Sequence, residues 1–102
     1  MIRDETIARL KETAPALRAE GVTKLANFGS RARGDAREDS DLDVLIDIDP
    51  QARFYGLNLI GVLADVERTI KAATGIPTQA EMRRSLEPGF AERIADDVIE
   101  IF

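Results

Sequence analysis

The sequence predicts a small mixed α/β domain, a short mixed sheet with helices packed on it, and three observations carry that expectation. Residues 41–49, DLDVLIDID, alternate apolar and acidic with a period of two, as a strand with one buried face does. From about Phe54 to Ala73, apolar residues recur at 57, 60, 63, 66 and 70, the spacing of an amphipathic helix of five turns. Helical and extended patterns then alternate along a chain of 102 residues, the length of one domain spanning 1–102, with no room for a separate recognition module.

In chain order, Asp4 stands where a first helix would be capped, and ETIARLKETAPALRAE brings Ile7, Leu10, Ala14 and Leu17 onto one face. Pro15 interrupts that pattern and should kink the helix or start a second segment, while Gly21 suits its end. VTKLANFG follows as a short buried strand, with Val22, Lys24, Ala26 and Phe28 alternating against Thr23, Leu25 and Asn27. SRARGDAR is compatible with a short helix opening at Ser30 and breaking near Gly34, and EDS is a loop. In the next strand Leu42, Val44, Ile46 and Ile48 form one face; Asp41, Asp43, Leu45, Asp47 and Asp49 form the other. Pro50 ends it, and Gly75 closes the long helix that follows.

IPTQAEM is a third strand, which Pro77 confines to a sheet edge or to the strand's own beginning. A last helix, about Glu87 to Asp97, leads into VIEIF, a short terminal strand. Its residues Phe90, Ile94 and Val98, spaced four apart, either pack on the sheet or offer a partner an apolar stripe.

Composition narrows the chemistry. Histidine and cysteine are both absent, which removes thiolate nucleophiles, Ser-His-Asp triads, disulfides and the usual zinc sites. Carboxylates, hydroxyls, arginines and bound cations remain. A net charge of −5 argues against a dedicated nucleic-acid surface, which is usually broadly basic, and favours a nucleotide or a protein as partner. The longest uncharged stretch, FYGLNLIGVLA at 54–64, falls short of the roughly 18–20 residues that span a bilayer. The first fifteen residues lack the apolar run and cleavage site of a signal peptide, so a cytoplasmic protein without a membrane segment is expected.

The chemistry concentrates in residues 28–43, FGSRARGDAREDSDLD. Two carboxylates two positions apart on a strand, their Cα atoms about 6.5 Å apart, can converge on one hard divalent cation. Asp41 and Asp43 are such a pair. Upstream, Gly29 lets the backbone approach a phosphate, and Ser30 offers it a backbone N–H and a hydroxyl. Arg31 and Arg33 can add charge against a leaving pyrophosphate, and spacing alone does not say which faces the site.

Taken separately, each part has an ordinary explanation. Aspartates before a strand form turns, Gly-Ser is a common turn, and Arg31, Arg33 and Arg37 would neutralise the acidic run. The conjunction is what points to a triphosphate clamp. Two rival motifs fail. GSRARG is followed by Asp35 and Ala36 where a phosphate-binding loop of the Walker type needs Lys and Ser/Thr. An EF-hand beginning at Asp39 would need Gly where Val44 stands and Glu where Pro50 stands.

Gly29-Ser30, ten intervening residues and Asp41-Leu42-Asp43 resemble the signature of the DNA-polymerase-beta-like nucleotidyltransferases. More closely, GVTKLANFGSRARGDAREDSDLDVLIDID is similar to the minimal nucleotidyltransferases, many of them antitoxins paired with a HEPN-domain toxin, and the resemblance covers nearly the whole chain. It implies the nucleotidyltransferase fold, with the Gly-Ser turn ending the first strand and both aspartates on the next. It also implies two Mg2+ ions, ATP or another NTP as donor, and transfer of AMP to a tyrosine of the HEPN partner. By match, Gly29 and Ser30 would hold phosphate, and Asp41 and Asp43 the metal.

The family pattern carries a third aspartate on the following strand, and here Gln79 stands in its place. A glutamine can accept a hydrogen bond, but it neither takes a proton nor adds negative charge. Glu81, two residues on and on the same strand face, either substitutes with its longer reach or is an ordinary exposed carboxylate. An active transferase and a binding-only antitoxin therefore both fit. Transfer to a small molecule such as an aminoglycoside fits less well, since no substrate domain follows.

Overall fold

The structure, a computed structural model, describes residues 1–50 and 59–102, Leu59 by its backbone alone. Helices α1 (Arg3–Glu12) and α2 (Ala14–Ala19) lead into strand β1 (Val22–Phe28), the short helix α3 (Gly29–Arg33) and strand β2 (Leu42–Ile48). Helix α4 (Leu59–Thr74), strand β3 (Thr78–Met82), helix α5 (Pro88–Ile94) and strand β4 (Ile99–Glu100) follow. Three-residue 3-10 turns at Arg83–Ser85 and Ala95–Asp97 flank α5. The sheet runs β3-β2-β1-β4, with β2 and β3 parallel and the other neighbours antiparallel. This is the mixed α/β architecture that the sequence predicts.

Each sheet face has its own core. On one, Leu10 and Leu17 from the first two helices and Val62, Val66 and Ile70 of α4 meet Val22, Leu25, Leu42, Val44, Ile46 and Ile48. On the other, Ala26, Phe28 and Leu45 pack with Ile94, and Leu86, Phe90 and Val98 complete the layer. Phe90 meets Phe28 edge to face, with ring centroids 6.0 Å apart. The apolar stripe of the last helix is thus spent on the sheet.

Several local expectations change. The first helix starts after an extended Ile2 rather than at an Asp4 cap, and Asp4 sits in its first turn, where the helix dipole favours an anion. Pro15 lies in the first turn of α2, so the chain breaks into two helices around Thr13, whose hydroxyl donates to the Leu10 carbonyl at 2.6 Å. Strand β1 does not alternate simply. Val22 pairs with Ile48 but Lys24 with Asp47, so Thr23 is an extra residue and the bulge flips the parity. Val22 therefore shares a face with Leu25, while Ala26 and Phe28 take the other.

In α4 the sheet-facing stripe is Val62, Val66 and Ile70, and Ile60 is 84% exposed. At 3.6 residues per turn, Ile60 falls roughly 120° around the helix from Val66. The predicted helix residues 54–58, Leu57 among them, lie outside the described residues. Among the described residues, no helix is long and apolar enough to cross a membrane.

Both sheet edges are tied down. Among the described residues strand β3 lies at the sheet edge, with Pro77 just before its first residue, and Glu67 of α4 accepts a hydrogen bond from the Ala80 amide at 2.8 Å. Arg83, just past β3, reaches across the sheet to Glu100 of β4 through two hydrogen bonds of 2.7 and 2.9 Å and lies 3.7 Å from Asp47.

Candidate functional site

Register brings the two halves of the 28–43 motif together. Phe28 at the end of β1 stands opposite Asp43 on β2, and Asp43 stands opposite Gln79 on β3. The chain leaves β1 through Gly29, which has φ +78°. A Cβ at Gly29 would lie 2.5 Å from Asp43 Oδ2, so glycine is required both by the backbone angle and by the carboxylate packed against it. Ser30 follows, half-buried, and its carbonyl accepts the amide of Gly34, whose own φ of +86° ends α3.

Asp43 lies within β2 and is half-buried, whereas Asp41 sits one residue before the strand and is exposed. Gln79 Nε2 donates to Asp41 Oδ2 at 3.2 Å. Glu81 is two residues beyond Gln79, opposite Leu45 and on the same face of the sheet. Burial pushes the Asp43 carboxyl above its ordinary range, the negative charges of Asp41 and Glu81 push it further, and Arg33 opposes them.

A carboxylate in this position is short of positive charge, and a hard divalent cation bound beside it would supply that charge. The donors present are carboxylate oxygens, the chemistry magnesium takes, so the Asp41–Asp43 pair fits such an ion. Among the described residues, no group of three or more acidic, imidazole or thiolate ligands gathers at one point, so Glu81 stands near the pair without completing a three-carboxylate cage.

The two arginines separate. Arg33 is exposed and pairs with Asp35 and Asp97, each at 3.1 Å. Arg31, expected beside phosphate, is only 6% exposed, and its Nε and Nη2 bond to backbone carbonyls. Nε and Nη2 reach the Ser40 carbonyl at 3.0 and 2.8 Å, and Nη2 also reaches the carbonyls of Arg37 and Glu38 at 3.3 and 3.2 Å. Burial and four carbonyl contacts tie the Arg31 guanidinium to the loop that precedes β2.

Sequence reasoning overlooked Asn27. Fully buried, it donates from Nδ2 to the Asp43 carbonyl at 2.9 Å and to the Phe28 carbonyl at 3.2 Å. An amide among apolar strand residues, two before Gly29, was the available signal. Also unanticipated is a cleft of about 300 Å³ beside Glu81, with Leu86 and Phe90 among its walls and Arg93 at its rim.

A family model described as a nucleotidyltransferase domain matches residues 7–100. The protein adenylyltransferase MntA of Thermococcus cleftensis is 31% identical over 81 residues, covering 79% of this chain and 76% of that protein. Among solved structures, a minimal nucleotidyltransferase superposes with a TM-score of 0.76 at 27% identity, over 97% of this chain and 95% of the other. A toxin-antitoxin crystallised with AMP-PNP shares the fold, with a TM-score of 0.61 at 15% identity over 90% of this chain and 72% of that one.

Proposed function

The chain belongs to the family of nucleotidyltransferase domains, and from that premise we propose that it moves AMP from ATP to a hydroxyl of a partner protein, a HEPN-type toxin, and so acts as an antitoxin. The observation that supports this reading is the close packing of the Asp43 carboxylate against Gly29, which brings the proposed phosphate turn beside the proposed metal pair. Similarity to a protein adenylyltransferase supports the class of transfer.

Magnesium, as two ions when nucleotide is present, would be held by Asp41 and Asp43 and would neutralise charge on the triphosphate. The chain's own groups do the rest. Gly29 lets the phosphates approach the backbone, Ser30 contributes its hydroxyl and amide, and Arg33 exchanges its surface carboxylates for the departing pyrophosphate. The acceptor oxygen bonds to the α-phosphorus as the bond from that phosphorus to the bridging oxygen of the β-phosphate breaks. Glu81, exposed and beside the cleft, receives the acceptor's proton.

A second reading rests on Gln79. An amide that donates to Asp41 brings no charge and takes no proton, which suits an antitoxin that binds nucleotide and silences its partner by binding alone. Labelled ATP, magnesium and the product of a neighbouring HEPN-type gene separate the two. Label on the partner, lost in Asp41→Ala with Asp43→Ala, supports transfer. Neutralisation without label supports the second reading.

A further inference from the structure

We infer that Arg31 is the positioning residue of this site: its buried guanidinium sets the loop that aims Asp41, while Asn27 does the same for Asp43. Asp41 lies outside the strand, so sheet hydrogen bonds do not fix it as they fix Asp43. What fixes its approach is the preceding turn. Three carbonyls of that turn, at Arg37, Glu38 and Ser40, point at one guanidinium, and the Ser40 carbonyl takes two of its donors. Ser40 also closes the turn on itself, its Oγ accepting the Arg37 amide at 2.9 Å. Ser40 is bonded directly to Asp41, so the guanidinium is one peptide away from the metal-binding residue.

The fork geometry matters here. An arginine presents several donors in a fixed plane, whereas lysine carries three rotatable donors on a compact charge at the end of a flexible stem and lacks the fork that spans Nε and Nη2. Arg31 also lies on α3, directly after Gly29 and Ser30. Asn27, two residues before Gly29, spans the Phe28 and Asp43 carbonyls with one amide. The stretch that carries the phosphate turn therefore holds the backbone on which both aspartates sit. Partners outside the first ring of ligands typically change metal affinity about 10- to 100-fold when removed.

This inference rests on the metal-and-nucleotide reading above, and the test separates the two. Manganese binding is measured by electron paramagnetic resonance with AMP-PNP present, nucleotide binding by calorimetry without metal, and amide exchange by NMR, in the parent, Arg31→Lys and Ser40→Ala. Arg31→Lys should weaken manganese by about tenfold or more, leave metal-free nucleotide affinity within about twofold and speed exchange at residues 37–41 but not in β1. Ser40→Ala, which leaves the core and the guanidinium untouched, should shift the same readouts less. Added guanidinium ion should restore part of the manganese affinity to Arg31→Ala. Parent protein that binds no manganese overturns the reading of the site itself. Unchanged manganese affinity in a folded Arg31→Lys, or a loss confined to nucleotide affinity, overturns the positioning role alone, and a failure of Arg31→Lys to fold leaves Ser40→Ala to decide by the same measures.

Discussion

Gln79 and Asp41 are joined by a hydrogen bond of 3.2 Å in which the amide nitrogen donates to the carboxylate, so the residue beside Asp43 on β3 orients one acidic group without adding another. If Glu81 takes the acceptor's proton, Glu81→Gln should lower the rate of AMP transfer by about 10²- to 10⁴-fold, with nucleotide affinity retained. Gln79→Asp should raise transfer far less than this, because the proton already has a destination. Single-turnover assays with labelled ATP measure both; a large gain in Gln79→Asp with no loss in Glu81→Gln would remove Glu81 from the mechanism.

Gly29→Ala should destabilise the fold by about 1–2 kcal/mol from its positive φ alone and should also force the Asp43 carboxylate aside. Chemical denaturation of Gly29→Ala, Asp43→Ala and the double variant separates the terms. The double variant should be more stable than the sum of the single effects, since removing the carboxylate relieves the collision and leaves the backbone strain. Strict additivity would show that the two residues do not press on each other.

Asp43 sets a pH dependence. Its folded-state pKa is raised, chiefly by burial, so the folded chain holds this proton more tightly than the unfolded one. The stability associated with the protonated form is present below the unfolded value and lost as pH rises through the raised folded value. Metal-free Asp43→Asn should therefore melt higher than the parent at neutral pH, and the difference should shrink in acid. Magnesium competes with the same proton, so its affinity in the parent should begin to fall at a pH above the ordinary aspartate range. Melting curves across pH with and without magnesium check both trends.

The Arg83–Glu100 pair behaves in the opposite sense. The Arg83 hydrogen bonds hold the Glu100 carboxyl below its ordinary range, so its stabilisation is present above the unfolded value and lost as pH falls through the lowered folded one. Both side chains are partly open to water, which screens the pair, and Glu100→Gln should cost no more than about 1 kcal/mol at neutral pH. Thermal melts of this variant at neutral and acid pH should converge on the parent in acid.

Much of this molecule was legible in its residues, for identifiable reasons. The period of two in β2 placed Asp43 and Leu45 on one face and Leu42, Val44 and Ile46 on the other, because one face of that strand meets α4 and the opposite face meets α5. Pro77 confined β3 to an edge or to its own beginning, and it stands just before the strand's first residue. What pattern could not disclose were events that change phase or commitment. A bulge at Thr23 leaves no trace in local composition, yet it inverts the faces of β1. Arg31 and Arg33 are chemically identical two residues apart, and only the folded loop decides that one is buried under three carbonyls while the other stays in water. Ile60 belongs to the helical repeat by spacing, but the stripe centred on Val66 turns it outward.

The bond from the Ala80 amide to Glu67 has a consequence for how this molecule meets others. Ala80 is the central residue of β3, which among the described residues has no strand on its outer side, and an incoming strand would use that amide in pairing. Glu67 holds it behind a charged lid. Any chain that approached to extend the sheet there would first have to displace that carboxylate from the Ala80 amide. The sheet is thereby guarded at the middle of this strand against indiscriminate lengthening.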